Sequence, residues 1–209
     1  MLYNEIMTAA LMILLAFLCG SLPFSVWLGR FLLGVDVRQF GDGNPGSANV
    51  FKTGNKVVGL LALALDISKA AAPVGIGYFN LNIRGAEMFL VAVAPVLGHA
   101  FSPFLGWRGG KAIAAAFGVW IGLTLWKVSL PAAAAVLIGY ALFTPSGWAV
   151  MVALCGILTV LLIWLPNPLF ILVWLAETLI LTWTHRADLR QGVHLRPWLV
   201  RLLGGGRKE

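Results

Sequence analysis

Long apolar segments separated by short polar breaks make up most of the chain. Cutting the pattern at clusters of glycine, proline and charge predicts seven apolar helical segments, at residues 6–31, 57–79, 86–105, 112–127, 131–143, 148–165 and 168–184. A helix needs about 20 residues to cross a bilayer, so the segments at 112–127 and 131–143 are short. They predict tilted helices, a re-entrant segment, or one element broken between Lys127 and Pro131. The pattern therefore allows five, six or seven crossings.

The composition excludes a single water-soluble core. Of the 209 residues, 60% are hydrophobic and 11% are charged, and the mean hydropathy is +0.90. Most of this apolar surface must face lipid, so we expect an all-α, polytopic integral membrane protein. No internal repeat, low-complexity tract or linker interrupts the pattern, which predicts a single domain over residues 1–209.

The first apolar segment is predicted to be a membrane helix that is kept in the mature protein and not a cleaved signal. It exceeds the ~7–15 apolar residues of a secretory signal and lacks a convincing cleavage site. Cys19 and Cys155 lie in apolar segments, and two isolated cysteines form neither a zinc motif nor a disulfide framework. We therefore expect no metal and no cofactor.

The distribution of cations predicts the orientation. With seven crossings and an external N-terminus, twelve of the fifteen Lys and Arg residues face the cytoplasm, as the positive-inside rule favours. Arg84 and Lys127 then lie outside, and Lys69 lies within a crossing. The net charge of +7 becomes an inner-surface charge that attracts anionic lipids and metabolites, and no soluble domain is present to bind nucleic acid. The cations of the tail are Arg186, Arg190, Arg196, Arg201, Arg207 and Lys208.

A polar, glycine-rich loop stands between the first two apolar segments. Glycines expose backbone N–H groups, and nearby lysines add positive charge, so the loop is suited to a phosphate or another oxyanion. The alternative is a set of tight turns with asparagine caps, the lysines serving as interfacial anchors. The residues of the loop are Gly41, Asp42, Gly43, Asn44, Pro45, Gly46, Ser47, Ala48 and Asn49, followed by Lys52 and Lys56.

Two further polar clusters are predicted at the same end of the helices. They are His99 with Gly109, Gly110 and Lys111, and His185 with Arg186 and Asp188. With seven crossings, all three clusters converge on one cytoplasmic site for an anionic head group. If residues 112–143 cross only once, the third cluster moves to the other side. Asp66 and Lys69, three residues apart in an apolar segment, are expected to form a structural salt bridge.

In order and spacing, these motifs resemble those of the bacterial acyl-phosphate-dependent glycerol-3-phosphate acyltransferases, the PlsY family. The similarity covers about residues 15–190, and the combination is far more specific than any single motif. The matching stretches are Gly20-Ser21-Leu22-Pro23-Phe24, Gly41-x-Gly-Asn-Pro-Gly-x-x-Asn49, Leu65-Asp66-x-x-Lys69, Gly98-His99-x-Phe101, Gly109-Gly110-Lys111 and His185-Arg186.

The resemblance implies a seven-helix membrane enzyme with a cytoplasm-facing site. It also implies transfer of a fatty acyl group from acyl phosphate to the 1-hydroxyl of glycerol 3-phosphate. The products are lysophosphatidic acid and phosphate, and neither coenzyme A nor acyl carrier protein is the direct donor. Membrane lipid is the other expected partner, and the oligomeric state stays open.

The chemistry of such a transfer suggests roles for the polar residues. Two polyanionic reactants and an apolar chain require cations and N–H donors beside a hydrophobic slot. Candidate catalytic residues are Asp42, His99, Lys111 and His185, with the hydroxyl proton passing to a substrate phosphate oxygen or to a histidine. Both histidines also fit structural roles at helix ends. Candidate substrate-binding residues are Gly41, Gly43, Asn44, Gly46, Ser47, Asn49, Lys52, Lys56, Gly109, Gly110, Arg186 and Asp188.

The chain departs from the commonest form of the family motifs at five positions. It has Asp42, Ala48, Lys52, Ala115 and Asp188, where the family usually has Ser, Thr, Arg, Thr and Asn respectively. A carboxylate repels a nearby phosphate charge by up to ~4 kcal/mol at 4 Å in an effective dielectric of 20, unless it pairs with a cation. Either the carboxylate pairs with Lys52, Lys56 or Arg186, or it turns away from the substrate.

The departures leave two other functions open. One is a family member with a changed acceptor or without catalysis, which the altered loop permits. The other is a transporter for a small anion, suggested by the polar breaks inside short segments.

Overall fold

The computed structural model describes residues 2–203, which are mainly helical. Arg207 and Lys208, counted above among the tail cations, lie outside this range. The helices are α1 (Leu2–Ser21), α2 (Phe24–Leu33), α3 (Ser47–Lys52), α4 (Lys56–Gly75), α5 (Gly85–Ala100), α6 (Ile113–Thr124), α7 (Trp126–Leu142), α8 (Gly147–Trp164), α9 (Pro168–Thr184), α10 (Arg186–Leu189) and α11 (Pro197–Leu202). Strands β1 (Phe143–Thr144) and β2 (His194–Leu195) form a short antiparallel pair.

The predicted helical membrane fold is confirmed. Within residues 2–203, four apolar helical segments are long enough to cross a bilayer, at Tyr3–Leu33, Lys56–Asn80, Gly85–Leu105 and Gly147–Trp164. Helices α6, α7 and α9 are shorter apolar segments, and the seven segments agree with the predicted ones within a few residues at most ends. Pro23 separates α1 from α2 inside the first segment, because proline has no N–H to continue the helix.

The two short segments, α6 and α7, form a hairpin. Helix α6 has 12 residues and rises about 18 Å, less than the thickness of a bilayer core. Leu125, with a φ of 56°, ends it, and α7 begins at the next residue. Lys111, two residues before α6, and Gly147, the first residue of α8, both contact Asp188, so the hairpin begins and ends on the same side of the bundle.

Close packing of backbones holds the helices together. Gly98 of α5 lies directly against the carbonyl of Phe17 in α1, and Gly118 of α6 lies against the carbonyl of Ile67 in α4. A Cβ at either glycine would overlap the neighbouring backbone. Small residues permit this approach in membranes, where dispersion contacts and hydrogen bonds drive association between helices.

A buried ion pair fixes the Pro23 break onto α4. Lys69 Nζ lies 2.8 Å from Asp66 Oδ1 and donates to the carbonyl of Leu22 at 2.7 Å. Ser25 donates to the other carboxylate oxygen, also at 2.7 Å. Pairing and hydrogen bonding both reduce the cost of charge at this depth, so the pair acts as a structural junction between α1, α2 and α4.

Glu177 bonds across helices inside the bundle. Its side chain is fully buried, and its Oε2 accepts a hydrogen bond of 2.7 Å from the indole N–H of Trp120. The bond joins α9 to α6 at a depth where the surrounding side chains are apolar.

Candidate functional site

All three polar clusters meet at one end of the bundle. They surround an open cavity of about 680 Å³. Its wall combines charged side chains, loop backbone and apolar side chains, so it suits a ligand with an anionic part and an apolar part. The lining residues are Arg38, Asp42, Gly43, Asn44, Pro45, Ala100, Phe101, Leu105, Trp107, Arg108, Gly109, Gly110, Lys111, Trp183, Thr184 and Arg186.

Lys111 is bound by two carboxylates at this cavity. Its Nζ lies 2.9 Å from Asp42 Oδ2 and 3.0 Å from Asp188 Oδ2. Burial alone would raise the pKa of Asp42 and lower that of Lys111. The ion pairs outweigh burial, so the pKa of Asp42 is lowered and that of Lys111 is raised. Asp42 and Lys111 are therefore charged at neutral pH.

The observed partner of the two carboxylates corrects the sequence expectation. From the sequence, Asp42 and Asp188 were expected to pair with Lys52, Lys56 or Arg186 or to turn away, but both pair with Lys111. The reason lies in the tertiary structure, since Lys111, two residues before α6, lies between Asp42 of the 41–49 loop and Asp188 of α10.

Asp188 is held in place by α8. Its Oδ2 accepts from the hydroxyl of Ser146 and from the backbone N–H of Gly147, each at 3.1 Å, as well as from Lys111. Three donors on one oxygen fix the carboxylate, so it cannot turn away from Lys111 without breaking the junction with α8.

Asp42 is held by the amides of its own loop. Its Oδ1 accepts from the backbone N–H of Asn44 at 3.2 Å and from Asn49 Nδ2 at 3.0 Å. The same Asn49 nitrogen donates to the carbonyl of Asn44 at 2.9 Å, and Asn49 is buried. The two asparagines therefore shape the loop and aim Asp42 at Lys111.

The glycines of this loop serve its sharp turns. Gly41 and Gly43 have φ values of +59° and +75°, a region that side chains other than glycine rarely occupy. Gly46 precedes α3, and buried Ser47 is its first residue. These turns bring the loop to the cavity wall, but they do not show which ligand the loop binds.

The lysines that follow the loop stand away from the cavity wall. Lys52 has its ammonium group against Gly41, beside Asn49, and Lys56 is exposed at the start of α4. Neither lines the cavity.

The Gly109-Gly110 turn is bonded to the end of α5. Gly109 N–H donates to the carbonyl of Ala100 at 3.1 Å, and Gly110 N–H donates to that of His99 at 2.9 Å. Both N–H groups are thus engaged within the protein. The imidazole of His99 packs directly against Gly110, where a Cβ would overlap it. The turn therefore sets the position of Lys111 through His99.

Neither candidate histidine lines the cavity. His99 is 7% exposed and His185 is fully buried. His185 Nδ1 lies 2.8 Å from the carbonyl of Leu181, and burial lowers the pKa of its imidazole. Within residues 2–203, His99 Nδ1 and His185 Nε2 have no hydrogen-bond partner.

Three arginines complete the wall. Arg38 bonds to Asp36 through Nη2 at 2.6 Å, and this hydrogen bond holds the pKa of Asp36 well below its usual range. Arg186 donates to the carbonyl of Trp183 at 2.8 Å and lies over its ring. In the described part of the chain, Arg108 and Arg186 have no carboxylate partner.

Residues 10–194 match the profile of the family described as glycerol-3-phosphate acyltransferase. This chain belongs to that family. A glycerol-3-phosphate acyltransferase of Aromatoleum aromaticum is 37% identical over 181 residues, covering 78% of this chain and 91% of the relative. One of Anaeromyxobacter sp. (strain Fw109-5) is 46% identical over 113 residues, covering 53% and 56%. The chain spans 56% to 65% of the length of the four Anaeromyxobacter relatives it matches.

A solved structure shares the same fold. The crystal structure of PlsY (YgiH), an integral membrane glycerol 3-phosphate acyltransferase in its glycerol 3-phosphate form, superposes with a TM-score of 0.80 at 26% identity. The match covers 97% of this chain and 95% of that one. The family resemblance and the helical membrane architecture are therefore confirmed, while the roles of individual site residues stay predictions.

Sequence reasoning missed several residues of the cavity and its supports. Arg38 and Arg108 lie on the wall, and Ser146 supports Asp188. Arg108 directly precedes the Gly109-Gly110-Lys111 motif, and that adjacency was an available signal. Ser146 had no such signal, because it reaches Asp188 from a segment 42 residues away.

Proposed function

We propose that the protein transfers a fatty acyl group from acyl phosphate to the 1-hydroxyl of glycerol 3-phosphate, giving lysophosphatidic acid and phosphate. Membership of the glycerol-3-phosphate acyltransferase family supports this activity. The PlsY fold supports it too, because structures of that protein exist in a glycerol 3-phosphate form and in a lysophosphatidic acid form.

The observation that carries the proposal is the mixed chemistry of one cavity at a helix-bundle end. Arg108, Lys111 and Arg186 supply positive charge, and Phe101 and Leu105 supply apolar surface on the same wall. Such a wall suits two phosphorylated reactants, one of which carries a lipid tail.

The proposed reaction needs no covalent enzyme intermediate. The acceptor hydroxyl oxygen attacks the acyl carbonyl carbon, the bond from that carbon to the phosphate oxygen breaks, and inorganic phosphate leaves. Phosphate is a good leaving group, so positioning is the main task, and proximity supplies up to about 7–11 kcal/mol. We assign Lys111 the stabilisation of negative charge on the carbonyl oxygen or the departing phosphate.

The proton of the acceptor hydroxyl is proposed to pass to a substrate phosphate oxygen. His99 and His185 are buried and lie off the cavity wall, so a direct path from the hydroxyl to either ring is obstructed. We assign both histidines positioning roles, His99 beneath the Gly109-Gly110 turn and His185 at the end of α9.

The cavity is proposed to open to the cytoplasm. Arg84 and Lys127 lie at the helix ends that point away from the cavity. Most other cations of residues 2–203 lie at the cavity end of the bundle. The positive-inside rule favours this orientation in the bacterial membrane.

An assay of purified protein tests the activity. Detergent-solubilised protein is incubated with acyl phosphate and glycerol 3-phosphate, and lysophosphatidic acid is measured by mass spectrometry. We expect product with acyl phosphate and none with acyl-coenzyme A as donor. Well-folded protein that gives no product with both substrates present would refute the proposal.

A changed acceptor is the second candidate, and the pairing of Lys111 with two carboxylates favours it. The double substitution Asp42→Ser and Asp188→Asn distinguishes a changed acceptor from glycerol 3-phosphate. Activity toward glycerol 3-phosphate that appears only in the double variant would support the second one.

A further inference from the structure

Carboxylates offset much of the positive charge around the cavity before any ligand enters. Four cations line it, a fifth, Arg30, bonds to Asp36, and three carboxylates lie on the wall or bond to these cations, which gives the eight groups a net charge of +2. The lining cations are Arg38, Arg108, Lys111 and Arg186, and the carboxylates are Asp36, Asp42 and Asp188.

Lys111 has one N–H donor left for a ligand, so it can stabilise charge on one oxygen but cannot neutralise a phosphate dianion. An ammonium group has three donors, and two of them point to Asp42 and Asp188. The trio of Asp42, Lys111 and Asp188 carries a net charge of −1, so it repels the second charge of a phosphate dianion. Both carboxylates are fixed by other hydrogen bonds and cannot swing away.

The other charged and titratable groups near the trio add no cation to the wall. His185 is buried, and the phenol of Tyr140 carries no positive charge. Lys52 lies against Gly41, and His99 lies behind the Gly110 turn, so neither faces the cavity.

We propose that the acceptor's phosphate binds in this cavity carrying a single negative charge, directed toward Arg108 and Arg186. The inference rests on the proposed function and refines its acceptor. Two compounds share this chemistry: glycerol 3-phosphate with one phosphate proton retained, and a phosphodiester of glycerol. In the first, the retained O–H donates a hydrogen bond to a carboxylate oxygen of the trio.

The pH dependence of binding distinguishes the two compounds. A phosphate monoester loses its second proton near pH 6, so the singly charged fraction falls about tenfold per pH unit above it. The Kd of glycerol 3-phosphate, measured calorimetrically on purified protein, is expected to rise on the order of 50-fold from pH 6 to 8. A methyl diester of glycerol 3-phosphate has no such proton, and its Kd is expected to change by less than about twofold.

Paired variants identify the groups responsible. Asp42→Asn with Asp188→Asn should tighten binding of glycerol 3-phosphate at pH 8 by at least about tenfold and reduce the pH effect to about threefold or less. Glu5→Gln with Glu87→Gln changes the net charge equally at a different cavity and should keep the wild-type dependence.

Each outcome decides the inference. A wild-type Kd for glycerol 3-phosphate that is constant across this range would overturn it, as would failure of both compounds to bind. Binding of the diester alone would support it and select the phosphodiester. If the aspartate double variant does not fold, the comparison of the two compounds on wild-type protein still decides.

The proposed acyl transfer is tested separately. Steep pH dependence of binding without turnover of acyl phosphate would refute the activity and keep the inference. Turnover of acyl phosphate together with a pH-independent Kd would support the activity and refute the inference.

Discussion

At the scale of single residues, the cavity is organised around Lys111. Two carboxylates from segments far apart in sequence share its ammonium group, and each carboxylate is fixed by further hydrogen bonds. Lys111 therefore joins the 41–49 loop to α10, and in the proposed reaction its remaining N–H donor serves the ligand.

Removing this ammonium group should damage binding and stability together. In Lys111→Ala, Asp42 and Asp188 would face the cavity unpaired, so kcat/KM is expected to fall on the order of 100-fold. The partly exposed pairs should contribute about 1–2 kcal/mol to the free energy of unfolding. Adding Asp42→Asn and Asp188→Asn should restore thermal stability but not activity. Recovery of activity in this triple variant would contradict a direct role for Lys111.

Gly110 gives a second test at this scale. In Gly110→Ala the added methyl would overlap the His99 imidazole, so the turn carrying Lys111 must shift, and kcat/KM should fall at least about tenfold. Gly75→Ala is the matched control, because its methyl would meet the backbone of Gly122 at 3.7 Å, an ordinary contact. Equal activity of the two variants would show that the turn tolerates displacement.

At the scale of elements, the break at Pro23 is stabilised by a neighbouring helix. Local sequence ends α1 there, but the direction of α2 is set by α4, where Asp66 and Lys69 bond to Ser25 and Leu22. Helix α2 in turn leads into the segment that carries the 41–49 loop.

Breaking this junction should be costly. Asp66→Asn would leave Lys69 buried without its counter-charge, and we expect a loss of about 3–5 kcal/mol in the free energy of unfolding. Arg30→Met, which removes an exposed pair with Asp36, should cost less than about 1 kcal/mol. Chemical unfolding in detergent micelles measures both. Similar losses in the two variants would show that burial of the first pair is unimportant.

At the scale of the whole molecule, the helices bring the three polar clusters of the candidate site to one end. The α6–α7 hairpin is decisive, because a single crossing between residues 112 and 143 would have separated Lys111 from Asp188. Because Lys111 and Asp188 lie 3.0 Å apart, an even number of helices must run along the bundle between them in the sequence.

Cysteine labelling in membranes tests this arrangement. In a background lacking Cys19 and Cys155, Arg108→Cys and Arg190→Cys should react with an impermeant reagent from the cytoplasmic side. Asn82→Cys and Lys127→Cys should react only from outside. Labelling of the first pair from opposite sides would refute the shared face.

The sequence by itself determined the apolar segments, the membrane fold, the charge asymmetry and the family motifs. These properties depend on local composition and spacing, which the chain carries before it folds. Only the tertiary structure decided which cation pairs with Asp42 and Asp188, which N–H groups of the glycine turns are occupied, and that His99 and His185 are buried. Those features join residues up to 77 positions apart through helix packing, and no local pattern specifies which partners such packing brings together.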